Sequence, residues 1–165
     1  MKKSLLLLIV AIFTLTTAFD AKAEWTDRNT FGLKGPVKAV DGDDLYFEED
    51  GTLYLMSGER VIIESRDKHG RITSCRGARM PQFYAYTYNK KGLLIEEWST
   101  GGSCKSESII EYTYNTKGQI IKQNWDDCEI TTYTYQKFDK YGNWIKRTAK
   151  TGRRSTVETR TITYY

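Results

Sequence analysis

From Arg60 to the C-terminus, apolar and polar positions alternate, break at short polar stretches, and resume. Tyr112 and Tyr114 are spaced by Thr113 and preceded by Glu111. A period of two in aromatic and β-branched residues predicts a half-buried strand. Asn115-Thr116-Lys117-Gly118 then supplies turn chemistry. The Asn side chain can bond back to the backbone, and the Gly can take a positive φ without a Cβ clash. A type I turn closed by a Gly bulge fits this spacing and sets Ile120 opposite Tyr114.

The unit recurs. Tyr86-Thr87-Tyr88-Asn89-Lys90-Lys91-Gly92-Leu93-Leu94 repeats it closely. Tyr133-Thr134-Tyr135 followed by Phe138-Asp139-Lys140-Tyr141-Gly142-Asn143-Trp144 repeats it with Gln136 and Lys137 inserted, which predicts a further bulge. Weaker copies are Arg66 to Ile72 and Phe47 to Leu53. The turn glycines Gly51, Gly70, Gly92, Gly118 and Gly142 are 19, 22, 26 and 24 residues apart. Such a period means supersecondary units that each need a neighbour to bury their face.

Between the units run longer polar connections: Arg76 to Pro81, Ser99 to Ser106, Asp126-Asp127 and Lys150 to Ser155. Two alternating kinds of connection predict an all-β fold, an antiparallel meander of repeated hairpins that is twisted and free to curl on itself. Val37 to Val40 is expected to open the sheet. Leu45 to Glu48 and Thr52 to Met56 follow as a hairpin, and Thr156 to Tyr165 closes the sheet as a half repeat. Glu24 to Gly35 is expected to be irregular.

The motif Tyr-x-Tyr-Asn-x-x-Gly-x-Leu/Ile resembles the YD repeat of Rhs-type bacterial surface proteins. Phe138-Asp139-Lys140-Tyr141-Gly142-Asn143-Trp144 is similar to its variants in small secreted Bacteroidetes proteins. The resemblance covers roughly Arg60 to Tyr165 and implies a β-repeat sheet. Large members form cages around a toxin or bind carbohydrate.

Lys2 and Lys3, an apolar run from Leu5 to Leu15, and Ala21-Lys22-Ala23 read as a signal peptide over residues 1–23, cleaved after Ala23. The expected location is secreted or periplasmic. Residues 24–165 are then a single domain. Losing Lys2, Lys3, Lys22 and Asp20 lowers the net charge from +4 to +2, which does not point to nucleic acid. Glu96 and Lys122 on one face, with Glu97 and Glu111 on the other, break any lipid-facing band, so no membrane insertion is expected.

No catalytic constellation stands out, and the expectation is a non-enzyme without metal or cofactor. His69 is the lone histidine and sits in a turn. Asp41-Gly42-Asp43-Asp44 lacks the alternate ligands and distal Glu of a calcium loop. Cys75, Cys104 and Cys128 allow one bridge. Register sets the strand starts after Cys104 and Cys128 about 9–10 Å apart, beyond the usual disulfide span, but the Gly101-Gly102-Ser103 loop can fold over the edge, so Cys104–Cys128 is expected, with Cys75 free.

The remaining signal is aromatic. Tyr84, Tyr86 and Tyr88 share a face, expected to include Leu94, Glu96 and Trp98. Tyr112 and Tyr114 are expected to share theirs with Ile120 and Lys122. These rings make either a cross-strand ladder or a contact surface. The candidate ligand-binding residues are Trp98, Trp125, Trp144, Tyr86 and Tyr112. The function expected is a binding module for a glycan or a protein surface. The alternative is an assembly component docking through its sheet edge or aromatic face.

Overall fold

The computed structural model describes residues 25–42, 44–79, 82–100, 106–126 and 128–165. The predicted signal peptide and Cys104, and with it the predicted Cys104–Cys128 bridge, lie outside them. One turn of helix, α1 (Asp27–Thr30), stands within the segment expected to be irregular. Among the described residues thirteen strands follow: β1 (Val37–Asp41), β2 (Leu45–Phe47), β3 (Leu53–Met56), β4 (Glu59–Arg66), β5 (Ile72–Gly77), β6 (Phe83–Tyr88) and β7 (Leu94–Thr100), then β8 (Glu107–Tyr114), β9 (Ile120–Trp125), β10 (Glu129–Phe138), β11 (Trp144–Thr151), β12 (Arg154–Thr159) and β13 (Thr161–Tyr164).

From β1 to β12 the spatial order is the chain order, which is the predicted antiparallel meander. The expected single last strand is instead divided at Arg160. β12 pairs with β11, and β13 crosses to pair with β1 at the far end. The chain thus ties the two ends of the sheet together, and the sheet rolls into a nearly closed barrel.

The hairpin turns show why Asx and Gly recur. Asn115 Oδ1 accepts the backbone N–H of Lys117 at 2.9 Å and of Gln119 at 3.1 Å. Asn89, Asp67 and Asp139 hold their own turns the same way. The Gly three residues on has φ between 76° and 83° in these four turns. Each turn is followed by a bulge. Thr73, Ile95, Ile121 and Ile145 are passed over in the pairing of β5, β7, β9 and β11. The predicted bulge at Gln136 is present as well.

The second tyrosine of each unit reaches back across to the adjacent strand, the last of the preceding hairpin. Tyr88 Oη donates to the Ile72 carbonyl at 2.7 Å, Tyr114 Oη to Leu94 at 2.6 Å, and Tyr135 Oη to Ile120 at 2.7 Å. Each acceptor is the residue just before a bulge, where the ladder is interrupted. In the last unit no tyrosine follows. Arg160 Nε takes its place, donating to the Trp144 carbonyl at 2.8 Å.

The turn end of the barrel is closed by the N-terminal segment. Asp27, 2% exposed, accepts from Arg66 Nη1 at 2.6 Å and from the Leu53 N–H at 2.9 Å. Arg28 donates to the carbonyls of Val37 at 2.7 Å and Glu48 at 2.6 Å. Asn143 fixes Lys34 through both its backbone N–H and its C=O, each at 2.8 Å, and bonds Tyr164 Oη. Behind this cap lies the apolar core: Leu33, Val37, Val40, Leu45, Phe47, Leu53, Ile72, Cys75, Tyr86 and Leu94. It fills the β1–β7 side of the barrel.

The packing sets the cost of three substitutions. Gly118 has only Leu93 at 4.0 Å from the position of an added Cβ, so Gly118→Ala costs backbone strain alone, about 1 kcal/mol. At Gly51 an added Cβ would stand 2.6 Å from Thr26 Cβ, so Gly51→Ala should cost about 2–4 kcal/mol and loosen the cap. Tyr114→Phe strands the Leu94 carbonyl and should cost about 1–2 kcal/mol. Chemical denaturation of the three variants checks the order.

Candidate functional site

The bulges decide which side chains face inward. Beyond the bulge at Ile95, Glu97 pairs with Tyr86 and Ser99 with Tyr84, while Glu96 pairs with Thr87 and Trp98 with Ala85. Glu97 and Ser99 therefore share the inner face with the tyrosines. The expected companions Glu96 and Trp98 point outward. One skipped residue flips every later side chain to the other face. The same shift puts Gln123 rather than Lys122 beside Tyr112.

Inside the β1–β7 side the space is packed. On the β9–β12 side it is open. A cavity of ≈ 470 Å³ is walled by Trp125 and Tyr133 and floored by Thr131, Ala149 and Thr151. Arg154, Thr156 and Glu158 of β12 and Glu129 of β10 form its rim. The strands alternate here as sheets do, yet their inward positions carry Gln, Thr, Glu and Arg instead of aliphatic residues.

The polar lining is organised. Tyr133 Oη is hydrogen-bonded to Gln123 Oε1. Thr131 and Thr151 hydroxyls meet at 2.7 Å across β10 and β11. Arg147 Nε donates to Glu158 Oε2 at 2.6 Å, and its guanidinium lies 3.8 Å from the Tyr133 ring centroid. These contacts fix the Tyr133 ring from both sides of its polarity: hydroxyl bonded, face covered. Trp125 is half-buried, cross-strand from Ile110 and Glu129.

The sequence candidates separate accordingly. Trp125 lines the cavity, and Tyr112 stands next to it on β8. Tyr112 Oη donates to Glu97 Oε2 at 3.2 Å. Tyr86 is 5% exposed, with its hydroxyl between Cys75 Sγ and Met56 Sδ, and belongs to the core. Trp98 is on the outer face, its Nε1 donating to Glu107 Oε2 at 3.3 Å. Trp144 lies at the turn end under the guanidinium groups of Arg147 and Arg160, at 4.0 and 3.9 Å. Sequence reading missed Tyr133, Gln123, Thr131, Thr151 and the Arg147–Glu158 pair. Tyr133 carries the same motif as Tyr86 and Tyr112 and was findable. The threonines read as solvent-face strand residues.

Two further groups from the sequence stand apart from the cavity, Cys75 in the core and His69 in an exposed turn. Burial pushes the Cys75 thiol up to about 11, so at neutral pH it is an uncharged core residue and not a nucleophile. His69 stays in its turn, its backbone N–H bonded to Asp67 Oδ1.

No protein-family model and no characterised protein matches the chain. The cavity must therefore be read from its own chemistry.

Glu97, inward on β7 beside Tyr112 and outside the cavity lining, carries a pH signature of its own. Burial raises its carboxyl above the ordinary 4.5, with the Tyr112 hydrogen bond opposing. The folded state then holds the proton more tightly than the unfolded chain. Stability is lost as pH rises through the carboxylate range, and that cost is absent below about pH 4.5. Glu97→Gln keeps an acceptor for Tyr112 without the charge. It should raise Tm at pH 7 and leave Tm unchanged at pH 4, measured by thermal unfolding at both values.

Proposed function

We propose that the protein is a non-enzymatic binding module and that its ligand is a glycan segment held in the cavity of the β9–β12 side. One observation carries this reading. The barrel interior changes from a dry aliphatic core to an open recess in which aromatic rings alternate with hydroxyl, amide and carboxylate groups. A sugar presents apolar C–H faces and a fringe of hydroxyls. Trp125 and Tyr133 suit the faces; Gln123, Thr131, Thr151 and Glu129 suit the hydroxyls. The rings are stiff, so their ordering costs little on binding.

The YD-repeat resemblance supports this reading, since carbohydrate binding is among the roles of that family. So does the signal-like N-terminus, which would deliver the module to a compartment where surface glycans lie. Secretion or periplasmic location is part of the proposal.

A glycan array on the purified protein, followed by calorimetry on the best hit, tests it. Trp125→Ala should weaken binding at least about tenfold. Trp98→Ala, on the outer face, should leave affinity unchanged. Equal effects of the two variants, or an array without hits, would remove the cavity from consideration.

A further inference from the structure

We infer that β12 is an interface, and that its occupant is the β12 of a second copy of this chain. The sheet ends at β12. One side pairs with β11, and among the described residues no strand pairs with the other. Arg154 to Val157 and Thr159 are all exposed. Val157 is 54% exposed, the most of any large hydrophobic among the described residues.

Open edges are ordinarily blunted by proline, bulges or inward charge. β12 has neither proline nor bulge; its inward charges are Arg154 and Glu158 on the cavity rim, and Glu158 is paired with Arg147. Its six pairs with β11 run without a register shift, whereas the pairing across each Asx–Gly turn is bulged. The sequence Arg-Ser-Thr-Val-Glu-Thr is rich in β-branched residues. This is a regular strand ready to be paired.

The hairpin geometry says which backbone groups are on offer. Thr151 and Arg154 flank a two-residue loop that begins with Gly152 at φ 56°. In such a loop the flanking residues exchange both of their bonds. Arg154, Thr156 and Glu158 then bond toward β11, and the Arg160 N–H continues the alternation by bonding Ile145 O at 3.2 Å. Ser155, Val157 and Thr159 present their N–H and C=O groups to the open side.

A second copy fits because the edge is self-complementary. In an antiparallel pairing centred on Val157, each Val157 faces the other and each Ser155 faces a Thr159. Arg153 of one copy then arrives at the end of the other's β12, where β1 takes over the edge at Thr161. Asp41 is the pairing neighbour of Thr161 on β1, and Asp44 follows in the same turn. Both are exposed, as is Arg153. The basic end of each edge therefore meets the acidic end of its mate, twice.

The arrangement bears on the proposed cavity. Residues opposite each other in an antiparallel pair share a face. The two cavities would open on the same side of the joined sheet, with Arg154, Thr156 and Glu158 of both rims adjacent. A polymeric glycan could then engage both at once. This last step rests on the glycan reading; the pairing itself does not.

Sedimentation velocity over a range of protein concentrations tests the pairing without any ligand. The expected result is a concentration-dependent dimer. Val157→Pro removes only an N–H aimed at the open side and should give a monomer with little change in Tm. Arg153→Glu should weaken the dimer, and adding Asp41→Lys should restore it. A readout that does not depend on destabilising anything is Val157→Cys. Facing Cα atoms in a bonded pair are about 5.5 Å apart, within disulfide reach. This variant should crosslink on mild oxidation, while Ile130→Cys, also exposed but away from the edge, should not. A protein that stays monomeric throughout, or a dimer that survives Val157→Pro without crosslinking at 157, overturns the inference. Loss of glycan binding in Trp125→Ala with the dimer intact separates the cavity from the edge.

Discussion

The structure depends on one recurring bond, from a tyrosine hydroxyl to a backbone carbonyl beside a bulge. A bulge bends the strand and tightens its twist, which a sheet needs if it is to roll up. It also interrupts the ladder at a place facing the interior. Leaving a buried carbonyl without a partner would cost about as much as a lost hydrogen bond. Tyr88, Tyr114 and Tyr135 remove that cost at Ile72, Leu94 and Ile120. Each does so from the adjacent strand, which belongs to the next hairpin, so every unit is tied to the one before it. Curvature and cohesion come from the same residue, and this is the physical content of the repeated Tyr-x-Tyr pair.

Closure then follows from the ends. At the C-terminus the tyrosine is replaced by Arg160, which bonds the equivalent carbonyl of Trp144 from the point where β12 becomes β13. From there Tyr164 is hydrogen-bonded to Asp139, and Tyr165 Oη donates to the Phe47 carbonyl at 2.7 Å. Burial alone would push Asp139 up, but the bonds from Tyr164 and from the N–H groups of Asn143 and Tyr141 hold it below the ordinary carboxylate value. The anchor is thus strongest when Asp139 is ionised. The N-terminal cap locks onto the same end through Asn143. First and last segments meet there, and the barrel has no need of an internal helix.

The repeat was legible because its chemistry is local. Asn115 bonds residues two and four positions on, and Gly118 needs a positive φ within its own turn. Strand order and the Gln136 bulge came from the same short-range signals. The face of Trp98 did not, because it depends on a bulge at Ile95, and nothing in Leu94-Ile95-Glu96 marks which residue is skipped. Nor did the division of the last strand. Its cause lies in where β1 sits, a contact spanning the length of the domain. The cavity was half legible: Trp125 was singled out for its ring, but Thr131 and Thr151 look like outward-facing strand residues until the barrel turns them in.

That turning-in also explains why the open side is where it is. The aliphatic residues that could fill a barrel are concentrated before Leu94, where Leu33, Val37, Val40, Leu45, Phe47, Leu53 and Ile72 supply a core without help from later strands. After Ile110, inward positions carry Tyr112, Gln123, Thr131, Tyr133, Arg147 and Thr151. Such residues satisfy one another in pairs, as Tyr133 does with Gln123 and Arg147 with Glu158, and so endure partial burial without a dry core. A strand lined this way gives up hydrophobic stabilisation for groups that can still exchange partners with a ligand. The packed side holds the fold, and the tyrosine bonds carry its rigidity across to strands that need not pack. The β9–β12 side is thereby free to keep a shaped, polar recess.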